Sequence, residues 1–345
     1  MSHPAPSRRP RPRTVLAMSR ETRAAVLAPG ALDRIARIAD LDPGLLVTDF
    51  DADDPAQRAG LRDAEVLFTG WGCPPLGSAA LSAMPRLRAV IHAAGSVKHH
   101  ITQDVWDRGI TVSTAATANA LPVAEYTVAA ILLSNKHVLH SARLYREERS
   151  RVNLLTRFPA IGNYRRTVGV VGASRIGRRV VELLRPHDLR VLVHDPYLDE
   201  DEARALGVER TGLDALVSLS DVVSIHAPEL PSTRHLFDAP RLALMRDGAT
   251  LVNTARGSLV DTEALVKELA AGRLNAVLDH TEPEVLPPDS PLYDLPNVLL
   301  TPHIAGSQGG ELHRLADAAV DELERYAHGL PFAHGVDPST LHQQA

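Results

Sequence analysis

The stretch Thr167-Val168-Gly169-Val170-Val171-Gly172-Ala173-Ser174-Arg175-Ile176-Gly177 decides the reading of this chain. An apolar, β-branched run predicts a strand over 167–171, and a 3.6-residue apolar period predicts a helix over 176–184. Between them lies a turn built from small residues. In a dinucleotide-binding turn the first glycine permits the tight bend. The second lets the backbone approach a pyrophosphate, and the third allows the helix to pack on the strand. Free N–H groups at the helix start then face the phosphates. Gly172 and Gly177 fit the first and third places, with Ser174 standing in the second and Arg175 and Ile176 opening the helix. The next predicted strand, 190–194, runs into Asp195. A carboxylate there accepts hydrogen bonds from ribose hydroxyls and repels a 2′-phosphate. Pro196, Tyr197, Leu198 and Asp199 offer no cation to hold that phosphate, so the expected cofactor is NAD rather than NADP.

Working outward, further strands are expected at 222–226, 250–253, 275–278 and 298–300. Helices are expected at 213–218, 241–245, 262–271 and 310–328. Strand and helix alternate, which predicts a parallel sheet covered on both faces. Upstream the same rhythm recurs, with strands at 14–18, 45–48, 65–69, 88–92 and 111–112 and helices at 31–39, 54–59, 79–83 and 101–108. A helical pattern at 123–141, read as free of Pro and Gly, separates the two series, and 149–166 is expected to be irregular. The fold class expected is α/β with two doubly wound parallel-sheet domains. Residues 1–13, rich in Pro and Arg, are expected to be a disordered tail.

The chain has 345 residues, a length suited to about two domains. Its net charge of −5 makes it a poor binder of nucleic acid or anionic membrane by bulk charge. No apolar run approaches the roughly 20 residues of a spanning segment, and no apolar leader follows the basic start. Cys73 is the single cysteine, which excludes an internal disulfide framework. No helical His pair with a third ligand is found, so no metal site is expected. A cytoplasmic setting is the default expectation.

Four ionisable residues fall at strand ends or in the loops after them: Arg256, Asp279, Glu284 and His303. Loops at the carboxyl ends of a parallel sheet line its ligand crevice. Reduction of a 2-keto acid needs a cation for the carboxylate, and the planar fork of Arg256 suits it. It needs a proton donor for the carbonyl oxygen, for which His303 is suited near neutral pH. A carboxylate beside that donor, here Glu284, favours the imidazolium form. Asp279 is left to contact the cofactor.

With these residues the chain resembles the D-isomer-specific 2-hydroxyacid dehydrogenase family over roughly residues 90–326. The matching stretches are Gly169 to Gly177, Ser220 to Pro228, Leu242 to Asp261 with Asn253-Thr254-Ala255-Arg256-Gly257 inside it, Leu278 to Leu292, and Thr301 to Gly306. The resemblance implies that Arg256, Glu284 and His303 are the catalytic trio and that Asp279 holds the nicotinamide carboxamide. It implies NAD contacts from Gly172, Ser174, Arg175, Ile176, Gly177, Asp195, His226, Thr254, Ala255, Arg256, Asp279, His303 and Gly306. It also implies a Rossmann NAD-binding domain, 121–306, inserted into a flavodoxin-like substrate domain, 14–120 with 307–345. The expected partners are a small 2-keto or D-2-hydroxy acid and a second copy of the chain, since members are usually homodimers.

Three departures from the family pattern stand out. Ser174 replaces a glycine. His280-Thr281 follows Asp279 where relatives commonly show Val-Phe. The loop Ala94-Gly95-Ser96-Val97-Lys98-His99-His100 replaces a Gly-Val-Gly pattern, and Gly95, Ser96 and Val97 inherit the substrate-carboxylate role. His92, Lys98, His99 and His100 suggest a positive character for this loop. Trp71, Cys73 and Pro74 suggest a pocket wall. Two alternatives remain beside the 2-keto acid reductase: an NAD-responsive binding or regulatory protein of the same fold, and a dehydrogenase of another small anion such as phosphite or formate.

Overall fold

The computed structural model describes residues 10–341, which form two units: 10–119 with Ser307–Leu341, and Ala120–Gly306. The expected tail lies outside the described residues as far as residue 9, but residues 10–13 belong to the fold. The Asp40 N–H donates to the Pro12 carbonyl at 3.0 Å, and the Arg11 guanidinium donates to the Ala36 carbonyl at 2.8 Å. Backbone pairing here outweighs a composition that reads as unstructured.

The first unit is built on five parallel strands: β1 (Arg13–Ala17), β2 (Asp40–Val47), β3 (Val66–Thr69), β4 (Ala89–His92) and β5 (Thr111–Thr114). Their order, β2-β1-β3-β4-β5, is the flavodoxin-like one. Side chains alternate across the sheet. Val15, Leu67, Val90 and Val112 pack on one face with Leu61 and Leu81, while Leu16, Phe68 and Ile91 pack on the other with Ile35, Val320 and Leu323. The last two come from the helix Leu312–Ala327, so the C-terminal segment completes a sheet made by the N-terminal one. Arg34, on the helix Pro29–Ile38, reaches Asp317 at 3.1 Å and Asp321 at 2.7 Å on that closing helix. β2 starts five residues before the expected position and contains Pro43. An edge strand tolerates a missing N–H, and the β1–β2 register shifts between Thr14 and Leu16 to accommodate the irregularity. The helix Arg20–Val26 was not expected, because only Thr22 and Val26 of its seven residues are buried.

The second unit carries seven parallel strands: β6 (Thr167–Val171), β7 (Arg190–His194), β8 (Glu209–Arg210), β9 (Val222–Ile225), β10 (Thr250–Asn253), β11 (Asn275–Leu278) and β12 (Val298–Leu300). Their order is β12-β11-β10-β9-β6-β7-β8. The chain therefore winds outward in both directions from β6 and β9, and the carboxyl ends of these two strands mark the switch point where such sheets bind ligands. Where one helix was read over 123–141, the structure has Ala116–Asn135 followed by Val138–Glu148, with Pro122 inside the first. The break falls at His137, whose φ is 47°. The segment read as irregular holds a short helix, Leu154–Arg157. Glu200–Leu206 and the two-residue β8 are further additions; the former is capped by Asp199, which accepts from the Glu202 N–H at 2.7 Å. By length and composition Ala116–Asn135 could cross a membrane, against the expectation that no run would qualify. Its Ala124, Ala130 and Ile131 are instead buried among Val168, Val170, Val180 and Val193, the setting of a core helix.

Candidate active site

The phosphate turn begins where β6 ends. Gly172 has φ 102°, and a Cβ there would lie 2.6 Å from the Ala227 nitrogen and 2.7 Å from the His226 carbonyl carbon. A Cβ on Gly177 would lie 2.0 Å from the Gly172 oxygen, so the helix Arg175–Leu184 rests directly on the turn. Ser174 needs no glycine: its φ of −64° and ψ of 177° suit any residue. Its hydroxyl accepts from the Gly177 N–H at 3.4 Å and caps the helix, which explains serine at this place in the motif. Asp195 is tied to the same turn. Its carboxylate accepts from the Ala173 N–H at 2.6 Å and the Tyr197 N–H at 2.8 Å. Half-buried at the end of β7, it keeps lone pairs for further donors. A glycine-lined bend at a helix N-terminus with a carboxylate at the next strand end fits a dinucleotide.

Two more expected contacts follow neighbouring strands. His226, after β9, is 2% exposed and lies 2.9 Å from the Ser224 hydroxyl through Nε2. Burial pushes its imidazole down to about 3, so it faces any ligand as a neutral ring. Thr254, after β10, has its hydroxyl 2.9 Å from that of Thr127. The Asn253 side chain then shapes the loop: it accepts from the Ala255 N–H at 3.0 Å and donates to the Arg256 carbonyl at 2.8 Å. Arg256 donates to the Ala255 carbonyl at 2.6 Å, and its surroundings are apolar enough to disfavour the charge. Glu229 and Glu284 act in the opposite direction and favour the guanidinium.

Asp279, at the end of β11, is 2% exposed and organises the turn that carries His303. Its Oδ1 accepts from the Thr301 hydroxyl at 2.7 Å and the Ile304 N–H at 2.8 Å, and its Oδ2 accepts from the Ala305 N–H at 2.9 Å. Its carbonyl accepts the His303 N–H at 3.1 Å. The Thr301 proton goes to Asp279, so the Tyr126 hydroxyl, 3.0 Å away, donates to Thr301. Asp279 thus holds the His303 turn as well as lying where the cofactor contact was expected. His303 sits at φ 55°, and its Nδ1 is 2.7 Å from Glu284 Oε1. That hydrogen bond is the main cause holding the Glu284 carboxyl below its ordinary value.

The match to known proteins agrees with this geometry. Residues 128–305 match the family model of the D-isomer specific 2-hydroxyacid dehydrogenase NAD binding domain. The chain is 31% identical over 264 residues to D-3-phosphoglycerate dehydrogenase of Methanocaldococcus jannaschii, covering 76% of this chain and 49% of that protein. It is 32% identical over 260 residues to glyoxylate reductase of Korarchaeum cryptofilum, covering 74% and 77%.

The chain belongs to the D-isomer-specific 2-hydroxyacid dehydrogenase family.

Among solved structures, the D-lactate dehydrogenase of Aquifex aeolicus, complexed with NAD and lactic acid, superposes with a TM-score of 0.69 at 27% identity, covering 92% of this chain and 95% of that one. The chain spans about half the length of the D-3-phosphoglycerate dehydrogenase it matches.

The loop Gly95, Ser96 and Val97 follows β4 in the first unit, apart in sequence and unit from Arg256, Glu284 and His303. The Thr114 hydroxyl donates to the Ala94 and Gly95 carbonyls, and Val97 is buried in the core beneath. The positive character expected of this segment does not come from His92 or His100. Both are buried, and burial pushes His100 down to about 4 and His92 well below its usual value. The Thr69 hydroxyl lies 2.9 Å from His92 Nδ1 and 3.4 Å from His100 Nε2. Burial pushes the Cys73 thiol up to about 12, which leaves no thiolate to act as a nucleophile.

Three residues at the candidate site were given no role by the sequence reading. Gly257 follows Arg256, and a Cβ there would lie 2.0 Å from the Thr281 carbonyl carbon, so only glycine lets the Arg256 loop pack on the Glu284 loop. Glu229, after the β9 stretch, accepts from the Ser258 hydroxyl and supports Arg256. His280, noted only as a departure, has its ring centroid 3.8 Å from that of His303. No metal set was expected, yet one ligand atom each of His280, Glu284 and His303 lies within 4.8 Å of the others. Substituting Gly257→Ala is expected to cost about 1–3 kcal/mol of stability, the usual range for an overpacked contact. An unchanged denaturant midpoint in this variant would show that the two loops do not need this approach.

Proposed function

We propose that the chain is an NAD-dependent reductase of a small 2-keto acid, acting in reverse on the D-2-hydroxy acid. The observation that carries this reading is the 2.7 Å pair of His303 and Glu284 held at strand ends beside Arg256. NAD, when bound, supplies the hydride donor or acceptor. The turn from Gly172 to Gly177, with Ser174, Arg175 and Ile176, holds its pyrophosphate, and Asp195 holds the adenosine ribose. His226, Thr254, Ala255, Asp279 and Gly306 complete the cofactor contacts.

Arg256 clamps the substrate carboxylate through its planar fork. Partial burial strengthens that clamp, since fewer waters compete for the guanidinium. His303 gives a proton to the carbonyl oxygen in reduction and takes it back in oxidation. Glu284 accepts from His303 Nδ1 and orients the ring so that the other nitrogen meets the substrate. Because pairing lowers the Glu284 value, the carboxylate stays ionised through the neutral range, and the pair opens only as pH falls through that lowered value.

Purified protein with NADH and a panel of glyoxylate, hydroxypyruvate, pyruvate, phenylpyruvate and 2-ketoglutarate should oxidise the cofactor with at least one member. His303→Ala should then reduce turnover by about 10²–10⁴, and near-normal turnover in that variant would refute the acid–base role. NADH binding without turnover on any member would favour the regulatory reading.

Asp195→Ala should weaken NADH binding and narrow the preference over NADPH. An unchanged ratio of the two affinities would show that another residue selects the cofactor.

The chain works as a homodimer in this reading. Support comes from the apolar side chains that the second unit leaves exposed: Leu133, Val138, Leu139 and Tyr145 on the helices Ala116–Asn135 and Val138–Glu148, and Leu155 just beyond. Sedimentation velocity should report a dimer that Leu139→Arg weakens; a monomer for the unaltered chain would exclude it.

A further inference from the structure

The loop that carries Glu284 is bent back on itself. The Thr281 hydroxyl donates to the Pro283 carbonyl at 2.8 Å and to the Glu284 carbonyl at 3.1 Å. The bend brings Glu284 near His280, four residues earlier, and against His303 on the next strand's loop. His280 and His303 meet ring to ring, with centroids 3.8 Å apart and planes tilted by 58°. The three residues each offer one ligand atom, all within 4.8 Å of one another. His280 is buried, while His303 and Glu284 are exposed, so one ligand is fixed and two are reachable from solvent.

Two imidazoles and one carboxylate are a donor set for a borderline divalent ion. Zinc binds such nitrogen and oxygen atoms at about 2.0–2.2 Å, which places ligand atoms of a tetrahedron about 3.3 Å apart. Glu284 Oε1 and His303 Nδ1, now 2.7 Å apart, need to open by about 0.6 Å to reach that spacing, and the wider pairs need to close by no more than about 1.5 Å. Three protein ligands leave the fourth position to water or another small ligand. The nearby guanidinium of Arg256 opposes any cation, which selects ions at the strong-binding end of the divalent series over magnesium or calcium.

We propose that His280, Glu284 and His303 form a binding site for a divalent transition-metal ion of the zinc class, and that an ion seated there blocks the enzyme. The site rests on the geometry alone, whereas the block rests on the catalytic reading above. An ion held by Glu284 and His303 takes the carboxylate oxygen and the imidazole nitrogen between which the proton is now shared. Metal occupancy and acid–base work therefore exclude one another. His280 is the residue that turns a proton-transfer pair into a three-ligand set.

The test is zinc titration of chelator-stripped protein, without cofactor, against a chromophoric zinc chelator. One equivalent should bind. His280→Val and Glu284→Gln should each weaken binding at least about tenfold, the loss that even an outer-shell partner costs. No stoichiometric zinc, or the same affinity in both variants, overturns the site. In a second arm, zinc should reduce turnover of NADH with the active keto acid, chelator should restore it, and His280→Val should need at least about tenfold more zinc for the same effect. Zinc bound at these residues with turnover undiminished overturns the block. Zinc bound there by a protein that turns over no substrate refutes the catalytic reading and leaves the site standing.

Discussion

The carboxylate of Asp279 is the interaction on which the site depends. Burying a carboxylate costs several kcal/mol unless donors replace its water. Here three donors do so, and each belongs to the loop that carries His303. The anion therefore acts as a template. The loop satisfies it by folding so that Ile304 and Ala305 point their N–H groups inward, and His303 is left at the crest in a left-handed conformation that costs a non-glycine residue energy. The backbone of Asp279 extends the linkage, since its N–H donates to the Asn253 carbonyl at 3.0 Å at the end of the neighbouring strand. Asn253 in turn shapes the Arg256 loop. One buried aspartate, through its carboxylate and its backbone N–H, thus links the placement of Arg256 to that of His303.

Close backbone approach is the second constraint. Gly172 and Gly177 let a turn, a helix and the His226 strand end share one small volume, and Gly257 does the same for the loops of Arg256 and Glu284. Ser174 shows the reverse case. Its backbone makes no special demand, so a side chain is allowed, and the hydroxyl is put to use as a helix cap.

Much of this was legible in the sequence because buried parallel strands leave a strong signal. The runs 167–171, 250–253 and 275–278 are continuous, apolar and sharply bounded, and the structure makes strands of just those residues. Arg256, Glu284 and His303 were legible by their position after such strands. The misses have physical causes. Arg20–Val26 and Glu209–Arg210 bury too little to show a period, and Pro43 hid the first half of an edge strand. The helix read as starting at 123 begins at Ala116 and runs through Pro122. The ring contact of His280 with His303, and the neutrality of His92 and His100, depend on which side chains meet across loops and on how deeply they lie. Local sequence carries neither.

The closing helix of the first unit has a consequence for biosynthesis. Strands β1 to β5 leave the ribosome with the first 114 residues, yet Val320 and Leu323, which cover Leu16, Phe68 and Ile91, come from a helix that ends at Ala327. At elongation rates of about 5–20 residues per second, the roughly 200 intervening residues take on the order of 10–40 s to be made. During that interval the nascent sheet carries an uncapped apolar surface, while the whole of the second unit emerges and can fold. The order of maturation is thus inverted relative to the order of synthesis: the inserted unit is completed first, and the unit that begins the chain is sealed last.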